Sequence, residues 1–282
     1  MGANLIFGAN YSVVKYISPR LTGPFALNLL RVSITVFLFW LMFILKPSVA
    51  GIKKHHTGRF ILCGLTGVAI NQLCFIKGLT LTSPIHASLL MLGTPILITV
   101  FAVWFAGEKF TPFKTISLML GIGGALLLIL QKEQSGIGKN VLLGDILCTI
   151  NGISYAIFII MAKPLMTEYT PIHVIRWIFT FGALFIIPFG ANELLQINWS
   201  LFHGGDYLSL AFIVVGATFV AYYFNSYSLS HLNPSVIGAY IYMQPVCAAI
   251  IAMLFLGEAL TWQKVLAAFL IFSGVYLTNK VK

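Results

Sequence analysis

The chain has 282 residues, of which 59% are hydrophobic and only 9% charged, against about 25% charged in ordinary globular domains. With a mean hydropathy of +0.95, this composition excludes a water-soluble domain. Lys and Arg number 17 against 7 Asp and Glu, a formal net charge of +10; the excess falls mostly between apolar runs, so it reads as membrane topology and headgroup contact, not as nucleic-acid binding.

A membrane-crossing helix needs about 20 apolar residues. The pattern predicts ten spans, at 2–17, 24–45, 58–80, 84–106, 112–131, 142–163, 171–190, 206–229, 234–256 and 262–279. Pro, Gly or charge punctuates the breaks, as at Ser18-Pro19-Arg20, Ser83-Pro84, Lys163-Pro164 and Asn233-Pro234. The first apolar run, Asn4 to Tyr16, has no basic segment before it and no small-residue cleavage site, so it reads as a short span rather than a signal peptide. The longest connection, about 191–205, carries Trp199 and reads as an interfacial segment. Cys63, Cys74, Cys148 and Cys247 all fall inside apolar runs without metal-ligand spacing, the pattern of small buried hydrophobes.

Several spans carry polar or small residues at helical spacing. On the first helix these are Asn4, Gly8, Tyr11 and Lys15; on the third, Gly64, Gly67, Asn71, Cys74 and Gly78. The sixth carries Cys148, Asn151, Tyr155 and Phe158, the eighth Thr218, Tyr222 and Asn225, and the ninth Ile237, Tyr240 and Gln244. The glycines read as close helix packing. Asn and Tyr should turn from lipid toward a shared cavity, which makes Tyr11, Asn71, Asn151, Tyr155, Tyr222, Asn225, Tyr240 and Gln244 the candidate substrate-binding residues. Aromatic walls with a few amides suit a small, partly apolar or zwitterionic solute; cation–π capture of an organic cation also fits them.

The chain repeats itself. Residues Thr82 to Ile129 align without a gap on Leu232 to Asn279, displaced by 150 positions. Pro84 falls on Pro234, Pro95 on Pro245, Gly107-Glu108 on Gly257-Glu258, Thr111 on Thr261, Lys114 on Lys264 and Gly124 on Gly274. Five spans per half is an odd number, so the second half must enter the membrane from the opposite side. The expected architecture is an all-α integral membrane protein with ten transmembrane helices in two inverted five-helix repeats: residues 1–131 (helices 1–5), a linker at 132–141, and residues 142–282 (helices 6–10). Nine Lys and Arg fall on the side holding both termini and six on the other, with the cluster Lys46 to Arg59 deciding; both termini are expected in the cytoplasm.

These duplicated residues resemble the EamA-type branch of the drug/metabolite transporter superfamily, and the resemblance runs over nearly the whole chain. Its most specific part is the run from Ser83-Pro84 or Asn233-Pro234, through the mid-helix proline, to Gly-Glu and then Gly124 or Gly274. Arg31 sits where the family often carries an arginine early in the second helix. The resemblance implies ten helices, two inverted repeats, and export or exchange of small metabolites across the cytoplasmic (inner) membrane of a prokaryote. It does not name the cargo.

Other residues suggest gating or structural roles. Pro95 and Pro245 lie midway along the fourth and ninth spans, where each removes a backbone donor and makes either a static kink or a hinge. Glu108 and Glu258 precede Thr111 and Thr261, which are N-cap candidates; each acid reads as a capping carboxylate in a tight turn or as half of a gate. Arg31 and Arg176 are the cations inside spans, where burial costs about 2.5–3.5 kcal/mol on insertion scales. Each therefore needs a partner: a gate, a substrate carboxylate, or helix-end carbonyls reached by snorkelling. The seven acids are placed in loops or at span ends, which argues against a carboxylate proton relay and for a facilitator or exchanger. His86, near a helix start, reads as interfacial.

The functional expectation is a secondary transporter, an exporter or exchanger, of a small metabolite such as an amino acid or related organic solute. It works by alternating access around a central cavity between the repeats. No cofactor, metal or nucleic acid is expected; the partners are the solute and the lipid bilayer. A monomer holds both halves and suffices, and a homodimer is compatible. The alternatives are a multi-span membrane enzyme, for which no HExxH or intramembrane acid set is present, and a non-transporting membrane receptor.

Overall fold

Inside a bilayer every backbone N–H and C=O must be satisfied without water, which leaves helices or closed barrels. The computed structural model describes residues 2–45, 51–94, 96–98, 100–101, 112–130, 140–231, 243–257 and 260–280, and among them the regular elements are helices, with no strand. The first two are α1 (Gly2–Ile17) and α2 (Pro24–Leu45). Thr57–Gly64, Leu65–Ile70 and Asn71–Leu81 run on as one rod, α3, whose middle piece is wound as a π-helix. Then come α4 (Pro84–Met91), α5 (Pro112–Leu130), α6 (Val141–Ala162) and α7 (Pro171–Leu195). A second composite rod, α8, joins Gly204–Ala211, the π segment Phe212–Val220 and Ala221–His231. The last two are α9 (Met243–Leu256) and α10 (Trp262–Lys280). Five of the rods, α2, α3, α6, α7 and α8, are long and apolar enough to cross a membrane.

The helix ends are made by local chemistry and by charges from neighbouring helices. Pro84 opens α4, with the Ser83 hydroxyl accepting from the His86 N–H. Asn140 caps α6 by accepting from Leu143 N–H at 3.2 Å, and Gly257, at φ 67°, closes α9 in the left-handed conformation that glycine tolerates. Glu193, near the end of α7, reaches over to the start of α2 and accepts from the Phe25 and Ala26 N–H groups at 2.9 and 3.0 Å. Lys15 does the opposite at the end of α3, donating to the Leu79, Thr80 and Thr82 carbonyls at 3.0, 3.1 and 2.6 Å. An anion on a helix N-terminus and a cation on a C-terminus both complement the helix dipole. Glu193 also explains a difference from the sequence pattern, which ends the seventh span at 190: the helix continues through this polar turn because the carboxylate has a partner across the bundle.

These contacts fix directions. The start of α2 lies beside the end of α7, so the two run antiparallel where they pack. The end of α1 and the start of α6 meet the same loop around Thr82, so these two are antiparallel as well. The main packed pairs are α2 with α7, α5 with α10, α3 with both α6 and α7, and α1 with both α9 and α8. Glycines make several close approaches, two of them on α3. A Cβ on Gly182 would stand 2.5 Å from Val68 Cβ, and one on Gly144 would stand 2.9 Å from the Gly78 carbonyl oxygen. Close packing of the α3 glycines is as the sequence stripe predicts. Two buried apolar clusters result. One gathers α1, α4, α9 and α10 with the end of α3; the other gathers α2, α6 and α7 with the start of α3.

Candidate functional site

A cavity lies between the two cores, with Tyr11 from the first and Tyr222 from the second on its wall. Its volume is about 100 Å³, room for several waters or a small solute. Its aromatic and thioether lining comes from Phe7, Tyr11, Phe75, Met91, Tyr155 and Tyr222. Tyr11 meets Phe75 edge-on at 5.2 Å, and Phe7 meets Tyr222 edge-on at 5.6 Å. Its polar lining is Asn4, Asn10, Arg31, Asn71, Gln72, Thr94, Asn151, Asn225 and Gln244.

Most of these polar groups bridge helices. Asn71 on α3 and Asn151 on α6 exchange side-chain-to-backbone bonds: Asn151 Nδ2 donates to the Asn71 carbonyl at 2.8 Å, and Asn71 Nδ2 to the Asn151 carbonyl at 3.3 Å. Asn225 Nδ2 on α8 donates to the Tyr155 hydroxyl at 3.0 Å, and Gln72 Nε2 donates to the Tyr222 hydroxyl. Gln244 Nε2 on α9 donates to Asn4 Oδ1 at 2.6 Å. Arg31 Nε on α2 donates to Thr218 Oγ1 at 2.9 Å. A wall of cross-helix bonds holds the cavity open and polar without leaving amides facing lipid. Three of the lining residues carry a buried polar atom that has no partner among the described residues: Arg31 Nη1, Asn10 Oδ1 and Thr94 Oγ1.

Seven of the residues singled out from sequence converge here: Tyr11, Asn71, Asn151, Tyr155, Tyr222, Asn225 and Gln244. Tyr240 lies outside the described residues, as do Pro95, Glu108 and Glu258. Pro245 is buried near the start of the described part of α9. The two span cations part company. Arg31 lines the cavity, whereas Arg176 on α7 packs over the rings of Trp40 and Phe43 at 4.8 and 4.1 Å.

The stripes missed Phe7, Asn10, Gln72, Phe75, Met91 and Thr94. Asn10 and Gln72 sit one residue beside chosen positions, so a wider polar face would have included them. The two π segments carry no signal of that kind. Each leads into cavity residues, Asn71 and Gln72 after the first, Tyr222 and Asn225 after the second, and the extra residue per turn re-aims the side chains that follow.

Two other clusters lie apart from the cavity. Asp145 and His86 are wholly buried, with His86 Nδ1 3.1 Å from Asp145 Oδ1 and the Thr82 hydroxyl donating to that same oxygen at 2.9 Å. This corrects the reading of His86 as interfacial. The Gly78–Gly144 crossing packs the end of α3 and Thr82 closely against the start of α6, beside this pair. At the opposite end of the bundle, Lys53 pairs with Glu168 at 2.6 Å beside His55 and His56. That carboxylate holds the Lys53 ammonium pKa above its ordinary value.

The family model described as the EamA-like transporter family matches the chain over residues 1–130 and again over 142–280. An uncharacterized transporter of Bacillus subtilis, YoaV, is 26% identical over 99% of this chain and 94% of its own length. A second from that organism, YetK, is 23% identical over 98% of this chain and 84% of its own. A WAT1-related protein of Arabidopsis thaliana is 24% identical, covering 96% of this chain and 79% of the relative. A protein of known crystal structure superposes with a TM-score of 0.62 at 17% identity, over 98% of this chain and 96% of the other, which shows a shared fold.

Proposed function

The chain belongs to the EamA-like transporter family and is a membrane transporter, not an enzyme; from that premise we propose that it is a secondary transporter working by alternating access, with the central cavity as its substrate site. The observation that carries this reading is the origin of the lining. Helices from residues 1–131 (α1, α2, α3, α4) and from residues 142–282 (α6, α8, α9) surround one polar chamber and are bonded to each other across it. A site between two halves is what rocking of one half against the other requires.

The reading includes ten transmembrane helices in two inverted repeats joined by the linker 132–141. Three observations support it: the two separate stretches of family match, the antiparallel run of α1 against α6 and of α2 against α7, and the gap-free internal alignment. Its cargo is a small metabolite such as an amino acid or related organic solute, exported or exchanged across the inner membrane of a prokaryote, with both termini in the cytoplasm. Tyr11, Asn71, Asn151, Tyr155, Tyr222, Asn225, Tyr240 and Gln244 face that cargo. Pro95, Pro245, Glu108 and Glu258 act where helices bend or end. Arg176 is a structural cation. A monomer suffices.

Reconstituted protein is expected to accumulate a radiolabelled amino acid or organic acid in liposomes preloaded with the same unlabelled solute. Replacing Asn71, Tyr155 or Tyr222 by Ala should reduce that exchange at least severalfold. Exchange unaltered by all three substitutions would remove the cavity as the transport site.

A further inference from the structure

One group of metal-ligating side chains lies apart from the chamber. The connection between α2 and α3 ends in the turn Lys54–His56, and the connection between α6 and α7 holds the short helix Leu165–Glu168. Packing of α3 against α6 and α7 brings the two connections together. One ligand atom each from His55, His56 and Glu168 then falls within 4.8 Å of the others. We propose that these three side chains bind a divalent cation of the zinc class (zinc, nickel or cobalt), which joins the first half of the bundle to the second at this end. Spacing along the sequence hides such a site, because Glu168 belongs to the other half of the chain.

Three observations fit the ion. The first is distance. Zinc takes nitrogen and oxygen ligands at ~2.0–2.2 Å in a tetrahedral array, which sets neighbouring ligand atoms about 3.4 Å apart. His56 Nε2 and Glu168 Oε1 are 3.5 Å apart. His55 is exposed, so rotation of its side chain supplies the remaining approach of about 1 Å to a shared ion. The second is support behind each ligand. Lys53 Nζ takes Glu168 Oε2 at 2.6 Å, while Oε1 is turned to His56. His56 Nδ1 lies 3.1 Å from the Tyr169 hydroxyl, which also accepts from the Lys53 N–H at 3.1 Å. With the ion on Nε2, the Nδ1 proton has its acceptor in place, and such outer partners fix the tautomer and orientation of a metal-bound imidazole. Tyr169 is itself held, stacked on His173 of α7 at 4.9 Å and edge-on to Phe60 of α3 at 5.4 Å. The third is access. His55 and Glu168 are exposed, which leaves an entry path and an open position for water.

The ligand types select the ion. Two imidazoles with one carboxylate suit zinc, nickel or cobalt, whereas magnesium and calcium take oxygen ligands. The Lys53 ammonium positions the carboxylate and also repels the ion, so it tempers affinity. Metal bonds between the α2–α3 and α6–α7 connections would hold this end of the bundle shut. The site stands without the transport reading; the clamp rests on it, because an ion that ties the halves together slows a cycle in which they rock.

The test uses tag-free, full-length protein stripped with a chelator in detergent. Zinc is titrated by calorimetry, alone and with magnesium or calcium in excess. One ion per chain is expected, undisturbed by either competitor. His56→Ala and Glu168→Gln should each weaken binding roughly tenfold or more, and Lys53→Met should tighten it. Cobalt titrated into the wild type should give the visible bands of nitrogen and oxygen ligation without thiolate charge transfer, a readout that needs no variant. Absence of binding, equal displacement by magnesium or calcium, a thiolate band, or binding that survives both ligand substitutions would each overturn the site. Zinc should slow solute exchange in liposomes severalfold for the wild type and not for His56→Ala. Exchange that zinc leaves unchanged while the site is filled would overturn the clamp. An ion bound at these residues in a protein that exchanges no solute would support the site and remove the transport reading.

Discussion

Gly144→Ala tests how α3 and α6 meet, and through them the chamber. A methyl group there would lie 2.9 Å from the Gly78 carbonyl oxygen, 2.9 Å from Thr82 Cβ and 2.9 Å from Thr82 N. Two of these atoms are backbone and the third is attached to it, so no side-chain rotation relieves the clash. The helices must separate by several tenths of an ångström to restore ordinary contact. That shift pulls on the Thr82–Asp145 bond at 2.9 Å and on the Asn71–Asn151 exchange. Overpacking costs about 1–3 kcal/mol, and weakening one interhelical bond adds about 0.6 kcal/mol. The better helix propensity of alanine offsets about 1 kcal/mol, leaving a net destabilisation of about 0.5–2.5 kcal/mol. Gly123→Ala on α5 is the control, because nothing lies within 4 Å of the added methyl; propensity alone acts there, and the variant should equal the parent or exceed it by up to about 1 kcal/mol. Unfolding of both variants in mixed micelles titrated with SDS, followed by circular dichroism, gives the comparison. If Gly144→Ala proves as stable as Gly123→Ala, the close α3–α6 crossing is refuted.

Other substitutions probe separate bonds. Asn151→Ala removes the 2.8 Å bond to the Asn71 carbonyl and is expected to lower stability by about 1 kcal/mol in the same titration. Asp145→Ala leaves the Thr82 hydroxyl and His86 without their shared acceptor; a loss of about 1–3 kcal/mol is expected, and Asp145→Asn, which keeps an acceptor oxygen, should lose less. Lys15→Met strips the cation from the three carbonyls ending α3, so its thermal midpoint in detergent should fall below that of Lys15→Arg. Reporter tags on the two termini should respond from the same face of the membrane, and opposite faces would contradict the inverted-repeat reading.

The cavity shows how much of a site a one-dimensional pattern can carry. A polar side chain in lipid is expensive, so Asn and Tyr recurring at helical spacing must face inward. That argument found Asn71, Asn151, Tyr155, Tyr222 and Asn225 on three separate helices, and the structure brings them to one chamber. It failed where inward-facing residues are apolar, as with Phe7, Phe75 and Met91, because nothing about a phenylalanine in a membrane helix tells lumen from lipid. It failed again at His86 and Asp145. Position near a helix end suggests headgroups or water, but here the end is covered by neighbouring helices.

The sequence alone determined that this is an all-helical membrane protein of the transporter class, with a duplicated pattern, inward polar stripes and glycine faces for close packing. Those features follow from the energetics of placing single residues in a bilayer, and such costs are local. Only the tertiary structure decided which stripes share a chamber, that α3 and α8 unwind to π geometry as they enter it, and that Arg31 lines it while Arg176 is packed under Trp40 and Phe43. These depend on which helices become neighbours and how closely they cross, and that is a property of all the side chains packing together.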